Sequence, residues 1–265
     1  MNFHSDNWIN EQVRKHYNEG ISLIDSNNFV GIFLQGSQNY GLDFEGSDVD
    51  TKMLVTPSLD DLVFARQPIS TTHIRENDEH IDIKDIRLYI QLFKKVNLNF
   101  LEILFTKYYI INPLYKEDWD VLIENREKIA RVDNNKFLKA LYGFAAQKYS
   151  ALEHPYPSKL NELETYGYDP KQLHHMVRLK GILDKFLADY SLEECLKPYN
   201  ESYLRELKEG KLSLEEAREL ANSTMDYIKE KTHEEHPEYK IDEETCKLLD
   251  QVQANIIRKS LKNSL

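Results

Sequence analysis

The sequence predicts an α+β fold, in which a small mixed β-sheet with flanking helices is followed by an all-helical C-terminal part. Short apolar runs bounded by Gly or Pro, a pattern typical of buried strands, all lie before residue 112. Long segments with apolar residues at helical spacing fill the remainder, and only 9 Gly and 8 Pro occur among 265 residues. We therefore expect two domains, 1–112 and 113–265, with the boundary at Asn112-Pro113.

The first part is predicted to begin with an amphipathic helix over 8–25, because Trp8, Val13 and Tyr17 recur at helical intervals among charged residues. Four short apolar or alternating segments predict strands at 30–34, 49–55, 69–74 and 80–86. Ser58 is a candidate cap for a helical turn over 58–62, and a 3.6-residue periodicity predicts one continuous helix over 85–105.

The second part shows only helical periodicity. Its predicted helices span 117–129, 135–153, 169–188, 213–230 and 243–262. Ser213 with Glu216 three residues later fits a capping box, which marks the beginning of the fourth of these helices.

The net charge and the cysteines argue against some classes of binding protein and indicate where the protein is located. The chain has 34 Lys and Arg against 45 Asp and Glu, a net charge of −11, which argues against a polybasic membrane binder or a coat on long duplex DNA. Cys195 and Cys246 are far apart and match no zinc or redox spacing, so we expect reduced thiols and a cytoplasmic location. No signal peptide or membrane span is expected from the sequence.

Two short motifs contain residues suited to bind phosphate and a divalent cation. Gly36-Ser37 closes the first predicted strand, and Asp48-Val49-Asp50 follows after a further ten residues. A glycine at the end of a buried strand lets the backbone approach a bulky anion, and the amides of such a turn can surround phosphate oxygens. Alternate residues of a strand face the same side, so Asp48 and Asp50 should project together and attract a hard divalent cation. Together the motifs indicate metal-assisted phosphoryl or nucleotidyl transfer.

At these residues the sequence resembles the DNA polymerase β-like nucleotidyltransferase superfamily. The superfamily pattern is Gly-Ser, roughly ten residues, and Asp-hydrophobic-Asp, with a third carboxylate on a later strand. The resemblance covers about residues 28–105. Our choice for the third acid is Asp82, which lies between apolar residues on a predicted strand that a long helix follows. Asp85 and Glu79 are the alternatives.

The resemblance implies a two-metal mechanism. Asp48, Asp50 and Asp82 would hold two magnesium ions, for which manganese could substitute. Gly36 and Ser37 would bind the β- and γ-phosphates of a nucleoside triphosphate (NTP). On this basis residues 1–112 would form the nucleotidyltransferase domain, and residues 113–265 a helical domain that binds or closes over substrate.

Further cations are candidates for binding the nucleotide. Lys52 lies on the same strand face as the two aspartates. Lys171, His175 and Arg178 lie at i, i+4 and i+7 on one stripe of a predicted helix. Their segment, 167–179, resembles the helical half of bacterial and phage predicted nucleotidyltransferases of the YcgL type. We expect this basic stripe to bind a triphosphate or an anionic acceptor; the alternative is a solvated helix face with a core histidine.

The leading functional hypothesis is an enzyme that moves a nucleoside monophosphate from an NTP to an acceptor hydroxyl. The acceptor would be an RNA end such as that of tRNA, a protein or a small molecule. The first alternative is a nucleotide-binding regulatory or antitoxin-type module with little or no catalysis. A metal phosphohydrolase that uses the same acids on water is ranked last.

Overall fold

The computed structural model describes residues 3–154 and 160–264. The chain divides into two compact units, the first comprising Met1–Asp133 and Ile241–Leu265, and the second Asn134–Lys240. The boundary that we expected after residue 112 falls inside the first unit, and the C-terminal segment also belongs to that unit.

The first unit contains a five-stranded mixed sheet, which confirms the predicted α+β class. The strand order is β3-β4-β2-β1-β5. The strands are β1 (Phe29–Gln35), β2 (Asp50–Val55), β3 (Ser70–Ile74), β4 (His80–Asp85) and β5 (Tyr109–Ile111). β1 is antiparallel to β2 and β5, β2 is parallel to β4, and β3 is antiparallel to β4. The three-residue strand β5 has no counterpart in the sequence-based prediction.

Seven helices accompany this sheet in the described part of the first unit. They are α1 (Asp6–Ile21), α2 (Leu59–Val63), α3 (Ile86–Lys94), α4 (Leu98–Leu101), α5 (Lys116–Glu124), α6 (Arg126–Ala130) and α13 (Glu243–Ser264). The C-terminal helix α13 returns to pack on this unit, where the Ser260 hydroxyl lies 2.7 Å from that of Thr56. A second anchor is an ion pair of 2.7 Å between Lys259 and Asp118.

A hydrophobic core lies between α1 and one face of the sheet. Ile9 and Val13 of α1 pack with alternate residues of the strands, including Ile32, Met53 and Ile81, all of which are buried. Because side chains of a strand alternate between faces, Lys52 and Asp82 are assigned to the opposite face. The hydrophobic pattern therefore decides which residues are available to a site.

The continuous helix predicted over 85–105 is wrong. The chain forms α3 and α4, which are separated at Val96, where φ is +50°. The Asn97 amide donates to the Leu92 carbonyl at 3.1 Å, a bond that closes the end of α3. The predicted helix over 117–129 is likewise divided, at Asn125, into α5 and α6.

Helices are the only regular secondary structure in the described residues of the second unit. Its helices are α7 (Asn134–Ala151), α8 (Leu160–Tyr166), α9 (Pro170–Leu187), α10 (Leu192–Leu196), α11 (Glu201–Lys208) and α12 (Leu214–His233). The three long ones match predicted segments, whereas α8, α10 and α11 were not predicted. None of the helices described in either unit combines the length and apolar character needed to cross a lipid bilayer.

The capping box at the start of α12 yields a stability prediction. Ser213 accepts a hydrogen bond from the Glu216 amide at 3.3 Å, and Glu216 accepts one from the Ser213 amide at 2.9 Å. Ser213→Ala should lower the free energy of unfolding by about 1 kcal/mol in urea titration. The matched control, Ser223→Ala at an exposed position within α12, should cause no loss, because alanine is the better helix former. Equal effects of the two substitutions would contradict the cap assignment.

Candidate active site at the edge of the sheet

The pairing of β1 with β2 brings the two sequence motifs together. In this antiparallel register Gln35, the last residue of β1, lies opposite Asp50, the first residue of β2. The Gly36-Ser37 turn and the Asp48-Val49 segment therefore extend from the same edge of the sheet. A hydrogen bond of 2.8 Å from the Gln38 side-chain amide to the Asp48 carbonyl ties the two segments directly.

The glycine of the turn has a backbone conformation that other residues rarely adopt. Gly36 has φ +115° and ψ −166°, and it precedes a single 3-10 turn over Ser37–Asn39. The Ser37 carbonyl accepts from the amides of Tyr40 at 3.0 Å and Leu42 at 3.1 Å, which holds the loop compact. Any larger residue at position 36 would be strained, so the glycine is required by the turn itself.

The two aspartates lie on either side of a buried residue. Val49 is fully buried, whereas Asp48 is exposed and Asp50 is partly exposed. One carboxylate oxygen of Asp50, Oδ1, accepts the His80 amide at 2.9 Å and lies 3.1 Å from the His80 ring nitrogen Nδ1. Val49 thus lies in the core as expected, and both aspartates keep part of their surface exposed.

Asp82 lies deeper on the same face of the sheet and has its own cationic partners. It is paired in register with Lys52, two residues beyond Asp50 on β2. Its Oδ2 accepts from the Lys52 ammonium at 3.3 Å, and its Oδ1 accepts from Thr72 at 3.3 Å and from Lys84. Both oxygens of this carboxylate are therefore engaged with donors.

Lys52 is an unusual lysine for a strand because only 2% of its surface is exposed. Burial lowers the pKa of Lys52, while the neighbouring Asp82 acts in the opposite direction. The ammonium also lies 4.2 Å from the centroid of the Phe100 ring, a cation–π contact. The structure thus places Lys52 on the expected face, where its partner is Asp82.

The fit to a metal ion differs between the three predicted ligands. Among residues 3–154 and 160–264, no group of three or more His, Cys, Asp or Glu side chains is arranged to hold a metal ion. The structure therefore does not gather Asp48, Asp50 and Asp82 into one ligand set. Magnesium is commonly held by one or two carboxylates together with substrate phosphates, and Asp48 with Asp50 fits that role. Asp82 does not fit it while the two lysines hold its oxygens.

The alternative third acids have structural roles. Asp85 is the N-cap of α3, where it accepts the Arg87 amide at 2.8 Å and two hydrogen bonds from the Arg87 guanidinium to its Oδ2. Glu79 is buried and accepts the Val49 amide at 3.1 Å, between the two aspartates. The contact of Glu79 could not be read from the local sequence, because its partner Val49 lies 30 residues away.

The basic stripe of the second unit forms as predicted on α9. Lys171, His175 and Arg178 are partly exposed there, and α7 packs against the same helix. The pKa of His175 is well below its usual value, because of burial first and then because of His174, Lys148 and the two cations of the stripe. The ring of His175 is therefore neutral at pH 7. The stripe belongs to the second unit and the carboxylates to the first.

The neighbouring histidine has a structural role, as its position on the helix suggests. His174 is buried, and its Nδ1 lies 2.8 Å from the Leu204 carbonyl, to which it donates. Burial lowers the pKa of His174 to about 4, which the hydrogen bond to Leu204 only partly opposes. His174 therefore serves the packing of the helical unit.

Comparison of the sequence with protein-family models and with curated proteins finds no match. Functional inference for this chain therefore depends on the geometry of its own residues.

Glu79 yields a prediction for the pH dependence of stability. Burial raises the pKa of Glu79, but hydrogen bonds from His16, Asn77 and the Val49 amide outweigh burial and leave the pKa at about 2, below the ordinary 4.5. A lowered carboxyl pKa stabilises the fold above about pH 4.5, and this contribution is lost as the pH falls toward 2. It amounts to at most about 3 kcal/mol.

We therefore expect Glu79→Gln to reduce the free energy of unfolding at pH 7. The difference in this free energy between the variant and the wild type should shrink as the pH falls from 5 to 3. Urea titrations at several pH values measure this difference. Glu45→Gln, at an exposed position of the nearby loop, is the matched control and should show no such trend. If the difference in the free energy of unfolding between Glu79→Gln and the wild type is constant across this pH range, the lowered pKa of Glu79 is contradicted.

Proposed function

We propose that this protein is a metal-dependent nucleotidyltransferase that moves a nucleoside monophosphate from an NTP to an acceptor hydroxyl. The observation that carries the proposal is the β1–β2 register, in which Gln35 lies opposite Asp50. Through it, a glycine turn suited to phosphate and a carboxylate pair suited to a hard cation extend from one sheet edge. An NTP with its magnesium ion carries the two groups that such an edge would bind.

Each residue of the edge has a proposed task. The backbone at Gly36 and the Ser37 hydroxyl would bind the β- and γ-phosphates, because the glycine permits close approach. Asp48 and Asp50 would hold magnesium, or manganese in its place. When bound, the metal neutralises charge on the transferred phosphate and favours ionisation of the acceptor hydroxyl.

The lysines that pair with Asp82 have a place in this scheme. Lys52 and Lys84 are cations on the face of the sheet that also carries Asp82, the face opposite the core. Triphosphate oxygens would compete with Asp82 for both ammonium groups, since each is a strong donor to anions. Asp82 would then be released to act as the third carboxylate, at a second metal ion.

The basic stripe on α9 is assigned to an anionic group of a substrate. Lys171 and Arg178 supply the positive charge, and the neutral His175 ring can donate or accept a hydrogen bond. The anionic group is either the triphosphate or a phosphate of the acceptor. An RNA end such as that of tRNA, a protein side chain and a small molecule are the acceptor classes to test.

A second candidate function is favoured by the environment of Asp82. Both of its oxygens are held by donors, and no three-carboxylate group suited to a metal is present in the part of the chain described. A nucleotide-binding regulatory or antitoxin-type module, with little or no catalysis, would need only the turn and the Asp48–Asp50 pair. This candidate predicts NTP binding without transfer.

Incubation with α-phosphate-labelled NTPs and magnesium tests the proposal. Each base is offered with total tRNA, a protein extract and a small-molecule pool as acceptors. We expect label transfer by the wild type, and a loss of about a hundredfold or more in Asp48→Asn and Asp50→Asn, because each substitution removes a carboxylate proposed to hold the metal, whose charge would stabilise the transition state. Glu45→Gln removes one negative charge from the same loop and should retain activity. Transfer that is equal in all four proteins would contradict the proposed site.

Asp82→Asn separates the two candidate functions in the same assay. For a transferase, this variant should lose label transfer while retaining NTP binding, measured by equilibrium dialysis. For a regulatory module, wild type and Asp82→Asn should both bind NTP, and neither should transfer label.

A further inference from the structure

The short segment that carries the two aspartates is held at every residue. Each of its four members, Asp48 to Thr51, is hydrogen bonded to a different side chain or amide of the first unit. The four contacts are Gln38 Nε2 to the Asp48 carbonyl (2.8 Å), the Val49 amide to Glu79 Oε1 (3.1 Å), the His80 amide to Asp50 Oδ1 (2.9 Å) and His16 Nδ1 to Thr51 Oγ1 (3.0 Å).

Glu79 joins two of these four contacts. Its Oε1 accepts the Val49 amide, and its Oε2 lies 3.0 Å from Nε2 of His16, whose other ring nitrogen contacts Thr51. Arg75 also donates to Oε2. His16 is fully buried and Glu79 is 7% exposed, so solvent cannot replace these bonds readily.

From this arrangement we propose that Glu79 is a positioning residue, which fixes the directions in which Asp48 and Asp50 project. The inference rests on the proposed function, because it concerns the same carboxylates. Val49 lies between the two aspartates, so rotation of its peptide group would move both of them. Glu79 opposes that rotation directly at the Val49 amide and, through His16, at Thr51, two residues further along the chain.

Such positioning matters because metal ligands must be held closely to their working geometry. Groups that orient metal ligands typically alter metal affinity 10- to 100-fold when they are removed. A buried carboxylate that only stabilised the fold would not produce that effect. Metal affinity therefore distinguishes a positioning role from a purely structural one.

Glu19 offers a control at the other end of the same network. It accepts from Arg75 Nε at 2.7 Å and lies 2.7 Å from His73 Nε2, and it has no hydrogen bond to the Asp48–Thr51 segment. Glu19→Ala thus removes a comparable set of ion pairs while leaving the Val49 contact intact. Glu79→Gln is the conservative variant, because its amide oxygen can still accept the Val49 amide.

The experiment measures Mn²⁺ affinity by electron paramagnetic resonance, with and without NTP, in the 265-residue chain. Exchange of the Val49 amide hydrogen is measured in parallel. We expect Glu79→Ala to bind Mn²⁺ about 10- to 100-fold more weakly and to exchange the Val49 amide faster. Glu79→Gln should stay within a few-fold of wild type in affinity, and Glu19→Ala should match wild type. If Glu79→Ala binds Mn²⁺ as tightly as Glu19→Ala does, the positioning role is overturned.

Two further outcomes are separated by the same measurements. If Glu79→Ala does not fold, Thr51→Val tests the His16 branch alone and should still weaken Mn²⁺ binding in a protein with a wild-type thermal melt. Unchanged Mn²⁺ affinity in Thr51→Val would overturn the inference in that case. A wild type that binds neither Mn²⁺ nor NTP would overturn the proposed function, and the positioning role would fall with it.

Discussion

The register between β1 and β2 is the constraint on which the candidate site depends. It is set by burial, because Ile32 and Met53 lie opposite one another and both face the core under α1. A slip of one residue would turn Lys52 toward that core and expose Met53 instead, at a large cost in hydrophobic free energy. The packing that fixes this register also places Asp50 opposite the end of β1, beside the glycine turn.

Charge balance on the opposite face follows from the same alternation. Buried charges are tolerated when they are paired, and Lys52 is buried beside Asp82 in register with it. The aspartates of the motif lie nearer to solvent, where Asp48 is exposed and Asp50 contacts the amide and ring of His80. A metal-bound triphosphate would bring a cation to the carboxylates and an anion to the lysines, so that the charges of the site would remain paired.

Much of this fold could be predicted from hydropathy alone, because α1 and the first four strands have clear periodicity. The break at Val96 could not, since Val96 is a β-branched residue at positive φ, a conformation that such residues rarely adopt. The three-residue strand β5 is too short to carry a pattern. At the site, the turn and aspartate motifs are local and were visible, whereas the contact of Glu79 with His16 joins residues 63 apart in sequence.

The most direct test of the central claim is a crystal structure with a non-hydrolysable NTP and Mn²⁺, in which anomalous scattering locates the metal. The account predicts manganese bound by Asp48 and Asp50, with the β- and γ-phosphates against the backbone of Gly36 and Ser37. Nucleotide bound away from this edge, or metal with ligands other than these two aspartates, would contradict it.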